Sequence, residues 1–153
     1  ENEMLTAERY FQGPDYRRPE ALDRLFDGNE RTYWGLTSNY LPSEDAWVGA
    51  VFIVSVQLAG VLLLASDDTP AFSGYTCDRV KKLIISGGHT ANLSDAAYNI
   101  TVDAVRGRKL LGYNADWFPV DVNAPDYAAY KFWFVRPLEG SPGILTAEMR
   151  FYR

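Results

Sequence analysis

Hydrophobic and polar positions alternate with a period of two along much of the chain. Residues 130–136 set Tyr130, Phe132 and Phe134 against Lys131, Trp133 and Val135, the in–out pattern of a strand with one buried face. Residues 98–105 alternate in the same way, with Ile100, Val102 and Ala104 on one face, and 79–86 offers Val80, Leu83 and Ile85 to a core. Residues 47–65 are the most apolar stretch and are rich in β-branched side chains. They predict a central strand over 48–56, a bend at Ala59-Gly60 and a second strand over 61–65. Ser55, Gln57 and glycines interrupt the stretch and Ser66-Asp67-Asp68 follows it, so it does not read as a membrane span. Further strands are expected over 4–10, 109–113, 120–122 and 145–152. Turns are expected at 87–88, 106–108, 123–127 and 137–143, with loops over 66–77, 89–97 and 114–117. Only 19–26 carries helical spacing, with Leu22, Leu25 and Phe26 at i, i+3 and i+4 behind Pro19. Strands at this frequency with one short helical turn predict an all-β fold, an antiparallel β-sandwich or jelly roll. The 153 residues contain no repeat or linker and are read as one domain, 1–153.

The helical turn runs into a loop dense in oxygen. Gly28 and Asn29 tolerate the positive φ that breaks a helix, and Asp27, Asn29 and Thr32 then offer oxygens at i, i+2 and i+5. Calcium takes six to eight oxygens at roughly 2.3–2.6 Å, so this curl suits it if a second carboxylate arrives from elsewhere. Glu148, near the other end of the chain, can supply one. The same residues also read as an ordinary Asp-Gly turn with Glu148 a surface carboxylate. The spacing is not that of an EF-hand.

Residues 25–34, Leu-Phe-Asp-Gly-Asn-Glu-Arg-Thr-Tyr-Trp, resemble the Ala-x-Asp-Gly-(Asp/Asn)-x-x-Thr-x-Trp signature near the start of discoidin domains. These are the coagulation-factor C-type, or galactose-binding-like, domains, which include the family 32 carbohydrate-binding modules. Residues 147–152, Ala-Glu-Met-Arg-Phe-Tyr, are similar to the closing strand of that family, and residues 79–87 are similar to one of its middle strands. Leu25 departs from the usual alanine, and the paired terminal cysteines of the animal members are missing. The resemblance implies a structural calcium ion that ties the first loop to the last strand. Its ligands would be the backbone carbonyls of Arg24, Asn29, Thr32 and Ala147 and the carboxylates of Asp27 and Glu148, with the Thr32 hydroxyl adding a bond. Trp34 would then be a core residue beneath the loop.

Composition narrows the function. The formal net charge is −5, which disfavours nucleic acid and anionic membranes as electrostatically held partners. The single cysteine, Cys77, has no internal partner and reads as a small buried hydrophobe. One histidine and no Cys/His cluster argue against zinc. No Gly-x-Ser-x-Gly elbow accompanies His89, no glycine-rich phosphate loop occurs, and Asp67-Asp68 are neighbours that would point to opposite sides of an extended chain. The chain therefore reads as a binding protein and not an enzyme. The first residues are acidic and polar, unlike a signal peptide, so a secreted protein would carry its leader before this sequence. Two sequons, at Asn92 and Asn99, would matter only in a eukaryotic secreted setting.

Sugar recognition needs an aromatic surface for pyranose CH groups and planar polar side chains for hydroxyls. Tyr113-Asn114-Ala115-Asp116-Trp117 combines a platform, an amide and an acid, with Trp117 alternatively a cap on the core. His89, Arg17, Tyr40 and Trp47 are the further candidates, from other segments. The sequence thus points to an extracellular or cell-surface carbohydrate-binding or adhesion module with a structural calcium, whose partner is a glycan. Nucleic acid and membrane insertion are excluded as partners, and a parent multidomain protein fits. The alternatives are a protein–protein assembly domain of the same fold and an accessory module of a larger glycoside hydrolase.

Overall fold

A computed structural model describes residues 3–13, 20–37, 46–65, 69–70, 80–96, 98–121, 123–135 and 143–153. Its elements in chain order are β1 (Met4–Leu5), β2 (Arg9–Gly13), α1 (Glu20–Asp23), β3 (Trp34–Thr37), β4 (Ala46–Val56), β5 (Gly60–Leu64) and β6 (Lys82–Gly88). There follow β7 (Tyr98–Asp103), β8 (Val105–Leu110), β9 (Tyr113–Pro119), β10 (Tyr127–Phe134), β11 (Gly143–Thr146) and β12 (Met149–Tyr152). One five-stranded sheet has the order β1-β12-β5-β9-β8 and a second β2-β4-β10-β6-β7, with a ribbon of β11 and β3 beside them. All the pairings are antiparallel. The β-sandwich expected from the alternation is the fold.

Alternation decides which side chains meet between the sheets. Tyr130, Phe132 and Phe134 of β10 face inward with Val48, Ala50 and Phe52 of β4 and Leu83 and Ile85 of β6. Leu63, Phe118, Met149 and Phe151 meet them from the first sheet. Trp34 is 1% exposed, tilted against Phe134 at 5.3 Å between ring centroids, and its indole N–H donates to Gln12 Oε1. It is the core residue the sequence implied.

Several boundaries differ from expectation for physical reasons. The strand expected over 4–10 is two strands in different sheets: β1 pairs with β12 and β2 with β4. Between them the Tyr10 hydroxyl accepts from Ala7 N–H at 3.3 Å and Glu8 N–H bonds Val51 O at 2.8 Å, which carries the chain across. The helical stretch 19–26 contracts to α1, because Leu25 and Phe26 close tighter i→i−3 bonds to Leu22 and Asp23. Gly87 and Gly88, expected as the turn after the strand, are the last two residues of β6 itself. They pair with Tyr130 and Ala129, and the Tyr127 ring occupies the space a Cβ on Gly87 would need.

The turn expected at 106–108 is a bulge within β8, where Gly107 has φ +100 and the register shifts between Val105 and Arg108. The hairpin instead turns at Leu111-Gly112, both at positive φ. Residues 114–117, expected as a loop, lie inside β9. No strand forms at Val120–Asp121, and β10 begins earlier than expected, at Tyr127. The expected final strand over 145–152 is broken at Ala147-Glu148 into β11 and β12.

Gly60 sits where no larger residue fits. A Cβ there would lie 2.3 Å from the Trp117 ring and 2.9 Å from the Phe118 carbonyl oxygen. The carbonyl belongs to the neighbouring β9 backbone and cannot step aside. Gly60→Val is expected to cost about 1–3 kcal/mol through overpacking, seen as a lowered midpoint of thermal unfolding.

Candidate functional site

The break at Ala147-Glu148 turns Glu148 toward the loop after α1. Glu148 is 2% exposed, and its Oε1 accepts from Gly28 N–H at 2.8 Å. Gly28 stands at φ +70, which glycine reaches without strain and which aims that N–H at the carboxylate. Backbone bonds clamp the same place: Met149 N–H to Leu25 O and Leu64 N–H to Glu148 O, both 3.0 Å. The Asp27 carboxyl lies beside Glu148, within side-chain hydrogen-bonding reach. Asp27 accepts from Asn29 N–H at 2.9 Å and from the Thr32 hydroxyl at 2.6 Å, and that hydroxyl lies 3.2 Å from Asn29 O. The two ends of the chain therefore meet in a cluster of oxygens.

Burial, the adjacent Asp27 carboxyl and its negative charge push Glu148 up to about 8, while the Gly28 N–H and Arg150 pull the other way. Glu148 is buried and Asp27 beside it is exposed, and a carboxyl held out of water next to another favours a proton or a cation between them. Among the described residues no group of three or more His, Cys, Asp or Glu gathers, so the carboxylates here number two and any further ligands would come from hydroxyl and carbonyl oxygens. The atoms gathered are hard oxygens, from two carboxylates, the Thr32 hydroxyl and the Asn29 carbonyl, a chemistry that fits an alkaline-earth ion. Arg24 is half-buried one residue before Leu25, and Ala147 is fully buried next to Glu148.

The expected sugar platform is arranged differently. Strand alternation puts Tyr113, Ala115 and Trp117 on the outer face of the first sheet and Asn114 and Asp116 on the other side of the strand. Trp117 is 7% exposed, packed against Tyr152 and covered by the Arg108 guanidinium 4.7 Å from its ring centre. Asp116 is 1% exposed and ion-paired with Arg106, while Asn114 accepts from Lys109 Nζ at 2.8 Å. The five residues do not converge. His89 lies at one end of the second sheet, exposed, its ring 5.4 Å from Tyr127. Its N–H donates to Asp95, whose carboxylate gathers that loop and is held below its usual range by those bonds. Arg17 and Tyr40 lie outside the described residues, as does Cys77.

Trp47 has company that the sequence did not announce. It stands directly across from Trp133 in the β4–β10 register, on the outer face of the second sheet, their rings 6.0 Å apart. Phe11 of β2 meets Trp47 edge-on at 5.6 Å. The far end of the Phe11 ring fills the space that a Cβ on Gly49 would need. The Lys131 ammonium sits 3.9 Å from the Trp47 ring centre and 4.5 Å from that of Trp133. All four side chains are half-buried. The sequence signal for Lys131 and Trp133 was their place opposite the core-facing residues of β10. Phe11 gave none.

No protein-family model matches the chain, and no curated protein sequence matches it. Solved structures do match. The paired family 32 modules of Clostridium perfringens ZmpB, in complex with GalNAc, superpose with a TM-score of 0.64 at 15% identity over 98% of this chain and 36% of that one. An F5/8 type C domain from Bacteroides fragilis gives 0.65 at 15% identity over 99% and 96% of the two chains. The family 32 module of C. perfringens NanJ, in complex with galactose, gives 0.58 at 10% identity over 94% and 93%. The chain thus has the fold of the F5/8 type C and family 32 carbohydrate-binding domains, as the resemblance at its two ends implied. It spans about a third of the ZmpB chain.

Proposed function

We propose that the chain is a non-catalytic carbohydrate-binding module that grips a glycan through the Trp47–Trp133 face and is held together by one structural calcium ion. The observation that carries the reading is the pair of half-buried indoles side by side on a rigid sheet. Flat aromatic surface at low conformational cost is what the CH faces of pyranose rings pack against. The folds that superpose on this one include modules bound to GalNAc and to galactose, which supports a sugar as the ligand.

Asp27, Glu148, the Thr32 hydroxyl and the carbonyls of Arg24, Asn29, Thr32 and Ala147 would hold the calcium. The ion would supply charge neutralisation for the buried Glu148 and the exposed Asp27 beside it and take no part in ligand contact. Sites with few carboxylates bind calcium at about 10⁻⁴–10⁻³ M, a range filled outside cells, which supports an extracellular or surface setting. A second reading, an accessory module of a larger enzyme, is favoured by one matched ZmpB chain that also holds a catalytic domain and of which this chain covers 14%.

A glycan array with the calcium-loaded chain tests the proposal. Saturable binding to one glycan class is expected. Capture of a protein partner with no glycan retained would support the assembly-domain alternative instead.

A further inference from the structure

We infer that the ligand of the Trp47–Trp133 face is an acidic sugar, one carrying a carboxylate or sulfate that meets Lys131. This rests on the reading that the chain binds glycans through that face. The argument is one of charge. The strands of the second sheet point Arg9, Lys82, Lys131 and Asp103 outward. Lys82 and Asp103 lie 3.9 Å apart and offset one another. Among the described residues no carboxylate is ion-paired with Arg9 or Lys131. Among the described residues the outward face is therefore cationic, in a chain whose formal net charge is −5. Surface charges beyond about 8 Å are screened at physiological salt, so the local pair decides what approaches.

Lys131 is not an ordinary solvated lysine. Its ammonium is drawn down between two indoles, within 4.5 Å of each ring centre, and has given up part of its hydration there. Cation–π attraction offsets some of that loss. An anion delivered by a ligand would offset more, because a charge-assisted hydrogen bond is roughly twice as strong as a neutral one. The ammonium lies over both rings, so a sugar that draws it onto an acidic group lays its CH groups on the indole surface beside it. Asn99, exposed on β7, stands in the same register row as Lys131 through Ser86. Two strand spacings, about 10 Å, separate them, which puts an amide in reach of a neighbouring sugar unit.

The test compares an oligogalacturonate, a sialylated lactose and a sulfated heparin oligosaccharide with their methyl-esterified, asialo and desulfated counterparts, by titration calorimetry on the calcium-loaded chain. At least one acidic ligand is expected to bind tenfold or more tightly than its neutral counterpart, and more weakly as salt rises. Lys131→Met, which keeps an apolar stem over the rings, should erase that preference, and Lys131→Arg should keep it. Unfolding midpoints of both variants confirm that they fold. Equal affinity for acidic and neutral partners, or a preference that survives Lys131→Met, overturns the charge assignment and leaves glycan binding standing. Binding to no sugar of either kind overturns both.

Discussion

Trp133→Ala is expected to weaken glycan binding at least thirtyfold while the chain stays folded. Anchoring aromatic residues at the centre of an interface cost about 2 kcal/mol or more on truncation, and that energy is about a thirtyfold change in affinity. Trp133 faces solvent from β10, its ring 6.0 Å from Trp47, and the core is filled by Phe132 and Phe134 on either side of it. Its removal strips ligand-facing surface and one cation–π contact of Lys131 and leaves the interior untouched. Trp117→Ala should behave in the opposite way. Trp117 is 7% exposed beneath Arg108, so its loss should cost about 3–5 kcal/mol of folding stability, and the folded fraction should retain its affinity. Calorimetric affinity and an unfolding curve on the same two variants separate these outcomes.

Calcium is expected to raise the unfolding midpoint by about 5–10 °C when present at a hundred times its dissociation constant, the effect of about 2.7 kcal/mol of linked binding on a chain of this size. Chelation should reverse it. The metal-free chain should also depend on pH in a definite sense. Glu148 titrates near 4.5 ordinarily and near 8 in the folded chain, so between those values the folded state holds a proton that the unfolded state has lost. Stability of the metal-free chain therefore falls as pH rises from about 5 to 8, by a few kcal/mol at most. Bound calcium would replace that proton, so its stabilising effect should be larger at pH 8 than at pH 5. Glu148→Gln should flatten the metal-free pH profile and abolish the calcium response together. A midpoint indifferent to calcium at both pH values counts against the ion, and a pH profile unchanged by Glu148→Gln counts against the raised titration of the buried Glu148.

The sandwich was legible because its evidence is local. A strand declares itself within six or seven residues, and the Tyr130–Phe134 alternation names its own inner face. The meeting of the chain ends was legible for a different reason. Asp27-Gly28-Asn29 is a turn whose geometry depends on residue type, its oxygens call for a second carboxylate that Glu148 can supply, and the resemblance points to the same partner. Gly107 was misread because glycine at positive φ serves a bulge as well as a turn, and pairing with β9 decides which. Asn114 and Asp116 looked like loop polarity. In the fold Asp116 is buried, tolerated because Arg106 reaches it across the β8–β9 hairpin. The aromatic face was the least legible part. Phe11, Trp47 and Trp133 come from three strands separated by long intervals of sequence, and only the register of β2, β4 and β10 brings them together.

The chain holds four tryptophans, Trp34, Trp47, Trp117 and Trp133. Their indole N–H resonances, followed by NMR while a bound glycan identified on the array is titrated in, report which surface is gripped. Shifts confined to Trp47 and Trp133, with the buried Trp34 and Trp117 unmoved, are the predicted result. Movement at Trp117, with Trp47 and Trp133 silent, would place the sugar on the first sheet and contradict the account.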